Sequence, residues 1–367
     1  MGNLPGMHIF SRARAVLMTA AVALTTVVAG CETPPPPPPV VIAAPPAPPP
    51  ITLSNVLVER ASAFRGYMAR AGAIDPKFQN GDQIQSSLKV GVAYEPKQLL
   101  SGVTAYAAVI ALQDPAFVGA VRSFAADPTQ RQQVIAQLVA DPAYAVGFKG
   151  SDTAAGLVID TLGAEGLKVY TTGKAVKQAA YDVQHSSWSK ASVADRDGRL
   201  AYAKTMSAIP ALGETTDVAA LQQASVGAQP LTLTPRSASA PYSPVVIRGL
   251  AVAALAALGA AGDDNLTLIE AVMAEPNSAM CLNMGKLNLY QCLAVSKPHY
   301  EDVFCLGQHV LMDTGQCVIK ASGAPMPVEP PPPPRAVPEK TSISQGGGAG
   351  RNSKNAKATA KKPATKK

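Results

Sequence analysis

Four cysteines, Cys281, Cys292, Cys305 and Cys317, lie within one short stretch, with His299 and His309 interleaved among them. As thiolates and imidazoles they would suit a metal ion, since Cys305 and His309 are four residues apart and share one helical face. Zinc sites bring cysteines in close pairs, however, and this set has none. Oxidised, an even and clustered set reads as two disulfides. Three pairings are open, and a helical hairpin turning near Lys297-Pro298 makes the nested one natural, Cys292 with Cys305 and Cys281 with Cys317. Serine chemistry has two footholds. Ser86-Ser87-Leu88-Lys89 and Ser187-Trp188-Ser189-Lys190 both have the S-x-x-K spacing in which a lysine can accept the serine proton, but neither is followed by a K-T-G strand. His185 stands beside Ser186 and Ser187, yet adjacent residues on a helix do not face one another. Asp195-Arg196-Asp197-Gly198 has its glycine too early for a calcium loop and Met206 where the bidentate Glu belongs, so it reads as a helix start. Asp263-Asp264-Asn265 reads as a capping turn. The expectation is no catalytic residue, no metal and no cofactor.

A fifth cysteine carries a different chemistry. Arg12 and Arg14 precede an apolar stretch from Ala15 to Val28 that is too short to remain as a membrane span, and Val28-Ala29-Gly30-Cys31 closes it. This run resembles the lipobox of bacterial lipoproteins. The resemblance implies a signal peptide over 1–30, diacylglycerol on the Cys31 thiol and cleavage before Cys31. Several acyl chains at about 0.8 kcal/mol per buried methylene make dissociation negligible. Glu32 stands where the inner-membrane retention signal of that family has Asp, which implies the outer membrane, facing the periplasm.

The elements behind these residues follow from composition and period. The chain has 367 residues, 47% of them hydrophobic but only 5% aromatic, and Ala, Val and Leu dominate, which favours closely packed helices over strands. After Cys31 the prolines at 34–39 and between 45 and 50 favour polyproline II, a spacer over 31–50 reaching roughly 50 Å. The body reads as all-α, a multi-helix bundle or stack of short helices. Leu53, Leu57, Ala61, Phe64, Met68 and Ala71 recur at steps of three and four and mark a first amphipathic helix. The next helix carries Leu99, Leu100, Val103, Ala107 and Ile110. Asp114-Pro115, Asp127-Pro128 and Asp141-Pro142 pair a good N-cap with a residue suited to the first helical position, and so predict short stacked helices. A longer helical region spans about 152–189, with a break expected near Gly163 to Gly166 or at Gly173, and another spans about 193–209. The helical domain thus covers 51–209, and 210–244, rich in Ser, Thr, Gln and Pro, reads as a loop or linker. The region 245–322 combines an Ala-rich core helix with the four-cysteine segment, stapled as a helical hairpin.

The tail, 323–367, is expected to be disordered. Its prolines at 330–334 make a second rod, and Lys354, Lys357, Lys361, Lys362, Lys366 and Lys367 sit among residues no more apolar than alanine. Nine of its residues from Arg335 onward are Lys or Arg, against Glu339 alone, so the formal +7 of the chain belongs to the tail and the body is mildly acidic. Such lysines can bind envelope polyanions or peptidoglycan carboxylates. Terminal Lys367 resembles the lysine by which Braun-type lipoproteins are joined to peptidoglycan, although the large helical body has no counterpart in that family. Export and a near-neutral body argue against nucleic acid as a partner. The sequence therefore points to a non-enzymatic envelope lipoprotein with a structural or interaction role, contacting membrane, peptidoglycan and envelope proteins. A cell-wall-related enzyme or accessory factor, and a Cys/His metal-binding module, are the alternatives.

Overall fold

The computed structural model describes residues 47–328; Cys31, most of the proline spacer and the tail lysines lie outside the described residues. The apolar face expected on the first helix is real: Leu57, Ala61, Phe64, Met68 and Ala71 are all buried on α1 (Asn55–Ala71). The arginines off that face reach distant elements, with Arg60 Nη2 2.8 Å from Glu270 Oε1 and Arg65 paired with Asp217. A helix that the polar run 79–85 conceals, α2 (Gly81–Val92), starts where Asn80 accepts from the Gln83 N–H and buries Ile84, Leu88 and Val92. It is followed by α3 (Pro96–Ala111), nearly every residue of which is buried.

Two of the three Asp-Pro pairs open the short α-helices expected of them, and the third falls short of one. Asp114 accepts from Phe117 N at 2.8 Å to open α4 (Pro115–Arg122), and Asp127 accepts from Thr129 N and Gln130 N to open α5 (Pro128–Ala140). Asp141 accepts from Ala143 N but opens only a 3₁₀ turn, Pro142–Gly147.

The longest helix, α6 (Ser151–Val183), runs unbroken through Gly163, Gly166 and Gly173, where a break was expected. Those glycines serve packing instead. A Cβ on Gly166 would lie 2.9 Å from Ile319 N, and one on Gly315, opposite, 2.5 Å from Tyr170 N, so two helix backbones meet where no side chain fits. After α7 (Ser187–Lys190) comes α8 (Arg196–Met206), capped by Asp195, which accepts from Gly198 N at 2.8 Å. The segment 210–244 carries a helix, α9 (Thr215–Ser225), and its extended part is pinned to the body by Leu231 N on Gln113 Oε1 and by the Arg236–Asp160 ion pair.

At the centre lies α10 (Pro244–Ala257), whose Val245, Val246, Leu250, Val252 and Leu255 are fully enclosed. Each such side chain contributes roughly 1.5–3 kcal/mol on leaving water. It packs mainly against α3, and the regions on either side of 210–244 share one continuous apolar core. The 3₁₀ turn Asp263–Asn265 caps another element: Asp263 accepts from Ser54 Oγ and from Asn55 N at the start of α1. The chain then forms α11 (Leu266–Met273), α12 (Pro276–Val295), turns at 296–298, and continues as α13 (His299–Cys305), a π-helical stretch Leu306–Met312, and α14 (Asp313–Ser322). The described residues are all-α: they form fourteen α-helices and no strand, and no single helix among them is long and apolar enough to cross a membrane.

Candidate functional site

The cysteines close the C-terminal hairpin. Cys281 is bonded to Cys317 and Cys292 to Cys305, the nested arrangement, so α12 is stapled near both ends to the helix that runs back along it. The four sulfurs are therefore not thiolate ligands. His309 turns elsewhere: its Nδ1 is 3.1 Å from Asp313 Oδ2, and the same carboxylate takes weaker bonds from Asn288 at 3.4 Å and Gln308 at 3.3 Å. Burial alone would raise Asp313, but the hydrogen bond from His309 and those from Asn288 and Gln308 outweigh it and hold the carboxyl below its ordinary range. His299 lies with its ring against Gly81 at the start of α2. Among the described residues no group of three or more His, Cys, Asp and Glu side chains converges as a metal site would require.

Charges buried beneath the hairpin fix its ends. Glu275 accepts from Asn277 N at 3.1 Å and Ser278 N at 2.6 Å at the N-terminus of α12. Burial pushes Glu275 up, yet the bonds from Ser278 and Asn277 prevail and keep it ionised more firmly than a free glutamate. At the other end, the carbonyls left over by the last turn are taken by two arginines of α8. Arg196 donates to Ser296 O at 2.7 Å and Ala294 O at 3.0 Å, and Arg199 donates to Leu293 O. Arg199 is also paired with Asp302, which is fully buried and accepts from Ser296 Oγ at 2.8 Å and Gln85 Nε2 at 3.0 Å. Midway along the helix, Lys286 points into the core. Its Nζ donates to Val92 O at 2.8 Å and stands 3.4 Å from the centroid of the Tyr94 ring, a cation–π geometry. Burial drives the Lys286 ammonium well below its usual value, only partly opposed by Glu95.

With Lys286 turned inward, the outward face of α12 carries no charge. Met280, Met284, Leu287 and Val295 are exposed by 65, 49, 50 and 73%, and their exposed neighbours are Asn277, Asn283, Gln291 and Ala294. At its C-terminal end the stripe meets a cleft of about 370 Å³ lined by Tyr181, Val295, Tyr300 and Phe304, with the Cys292–Cys305 bond in its wall. A larger cleft, about 670 Å³, opens between α3 and α11–α12. Its carboxylates are all engaged: Glu95 caps α3, Glu275 caps α12 and Glu270 pairs with Arg60. Each of these carboxylates therefore holds structure together, two as helix caps and one in an ion pair.

The serine candidates are dispersed. Ser86 is exposed on α2 while Lys89 lies over the Tyr202 ring, and Ser189 is buried with its hydroxyl donating to Val183 O and Ser186 O. Ser187 and His185 are exposed near the end of α6. Sequence reasoning missed Lys286, the Arg199–Asp302 pair and the outward face of α12. One signal was available: Lys286 is the sole Lys, Arg, Asp or Glu between Glu275 and Lys297, too few for a helix bathed in water on one side. No family model, no curated protein and no solved structure matches this chain.

Proposed function

We propose that the protein is a lipid-anchored component of the bacterial cell envelope with a structural or interaction role, held to the membrane through Cys31 and facing the periplasm from the outer membrane. The observation that carries this reading is the run Val28-Ala29-Gly30-Cys31 behind an arginine-led apolar stretch. Two disulfides in the body fit an oxidising compartment, and a body whose first helix begins soon after the proline run fits a spacer between bilayer and domain. The lysines from Lys354 to Lys367 contact peptidoglycan or another envelope polyanion in this reading.

Cells grown with an alkyne-bearing fatty acid test the anchor. The mature chain is expected to carry the label on an N-terminal Cys31, and Cys31→Ser to lose the label and the membrane association together. An unlabelled, freely soluble wild type would overturn the reading. Boiling envelopes in detergent, with and without digestion of the wall, tests the tail: retention that needs both an intact wall and the residues after Pro338 supports wall contact, and complete release removes it.

A further inference from the structure

We propose that α12 is a self-association element that packs antiparallel against α12 of a second copy, with the two-fold axis passing beside Leu287. The proposal goes beyond membrane anchoring and stands without it, since it uses only the folded body. Met280, Met284, Leu287, Gln291 and Ala294 follow one another at steps of four, three, four and three, the spacing of a seam that meets another helix of like spacing. All are exposed and none is charged. A neutral seam lets two identical faces meet without like-charge repulsion, whereas a charged partner would lose hydration and gain no counter-charge.

A two-fold axis at Leu287 pairs positions equidistant from it. Leu287 then meets its own copy, Met280 lies over Ala294, and Asn283 lies over Gln291. The long methionine faces the smallest residue of the seam, and each amide, donor and acceptor at once, faces another amide that can return both bonds. Contacts of this isologous kind satisfy both copies with one set of residues. Met280, Met284, Leu287 and Val295 give the face four large apolar side chains, and Tyr181, 48% exposed, lines the cleft at its C-terminal end, so association removes apolar surface from water on both copies. Cys281–Cys317 and Cys292–Cys305 hold the helix rigid behind the seam, so little ordering is needed on association.

The test uses the full chain in mild detergent. Leu287→Cys places a free thiol on the axis, where it would meet its own copy, and mild oxidation is expected to give a covalent dimer whose peptide map shows a 287–287 bond. Leu167→Cys on α6, where Leu167 is 43% exposed against 50% for Leu287, is the control and is expected to dimerise far more slowly. Sedimentation equilibrium of Leu287→Glu, a surface change that leaves the core intact, should show self-association weakened at least about 100-fold by two carboxylates brought face to face. Equal rates for the two cysteine variants, a bond mapping elsewhere, or a wild type monomeric at tens of micromolar would each overturn the proposal. Loss of fatty-acid labelling would leave it untouched.

Discussion

Replacing Lys286 by methionine should stabilise the protein at neutral pH, and the gain should shrink as the pH is raised. Lys286 is 4% exposed, and its amine has one carbonyl and one aromatic face for company. Its hydrogen bond is worth about 1.5–3 kcal/mol and a desolvated cation–π contact about 2 kcal/mol. Against these stands an effective desolvation penalty of several kcal/mol for a single buried ion. Methionine has nearly the same length and leaves Val92 O with the Ser207 Oγ donor at 3.4 Å. The hydrogen bond and the cation–π contact offset most of the penalty, so the net expectation at pH 7 is a small gain, on the order of 1 kcal/mol. The folded-state value of Lys286 lies below that of the unfolded chain, about 10.4, so between the two the unfolded state binds more protons and wild-type stability rises with pH. Lys286→Met should remove that rise. Urea unfolding of oxidised protein, followed by helical circular dichroism and by Trp188 fluorescence from pH 6 to 9.5, measures both. Higher pH is avoided because burial raises Tyr67 and Tyr94, whose ionisation in the unfolded chain would lower stability above about pH 10. A variant destabilised by more than about 1 kcal/mol at pH 7, with the pH slope unchanged, would refute the reasoning.

The two disulfides should differ in worth: losing Cys281–Cys317, which spans 36 residues, is expected to cost about 3.8 kcal/mol, and losing Cys292–Cys305, which spans 13, about 2.9 kcal/mol, by chemical denaturation of double-alanine variants. Arg199→Met leaves Asp302 as an unpaired buried charge and should cost about 3–5 kcal/mol, most of it recovered when Asp302→Leu is added; a purely additive double mutant would show that the pair does not act as one unit. Asp114→Ala should lower stability by about 1–2 kcal/mol and Asp141→Ala by distinctly less, because the first caps a helix from a buried position and the second only a surface 3₁₀ turn; equal losses in thermal melts would contradict the capping account.

Much of this fold could be read before it was seen, where the physics is local. The buried stripe of α1 follows from steps of three and four, and the starts of α4 and α5 follow from a carboxylate beside a proline. Of three open cysteine pairings, the nested one that a hairpin turning at a Lys-Pro step makes natural is the one that forms. What escaped depends on partners far along the chain. Glycines in α6 look like breaks in isolation, and only the approach of α14 shows them to be contact points. The polar residues around Ile84 at the start of α2 mask a core stripe that continues with Leu88 and Val92. Asp263 caps a helix some two hundred residues earlier, which no local pattern can reveal. Of the candidate site, the cysteines were legible, but the uncharged face of α12 was not, because whether a methionine lies inside or outside depends on what covers it.

The π-helical stretch Leu306–Met312 settles a phase problem between the two halves of the hairpin. Cys281 and Cys292 are eleven residues apart on α12, so at 3.6 residues per turn they point within about 20° of one another. Their partners Cys305 and Cys317 are twelve apart, which on an uninterrupted α-helix would leave them diverging by about 120°. A π turn absorbs one residue without advancing the screw, so twelve steps do the work of eleven and both cysteines return to the same azimuth. The spare residue acts as a vernier between two rulers of unequal length. Deleting any one position from Leu306–Met312 would let the helix relax to a plain α screw with eleven steps between the cysteines, and both bonds could still close. Inserting one would throw a sulfur off the line, and only one of the two staples could then form.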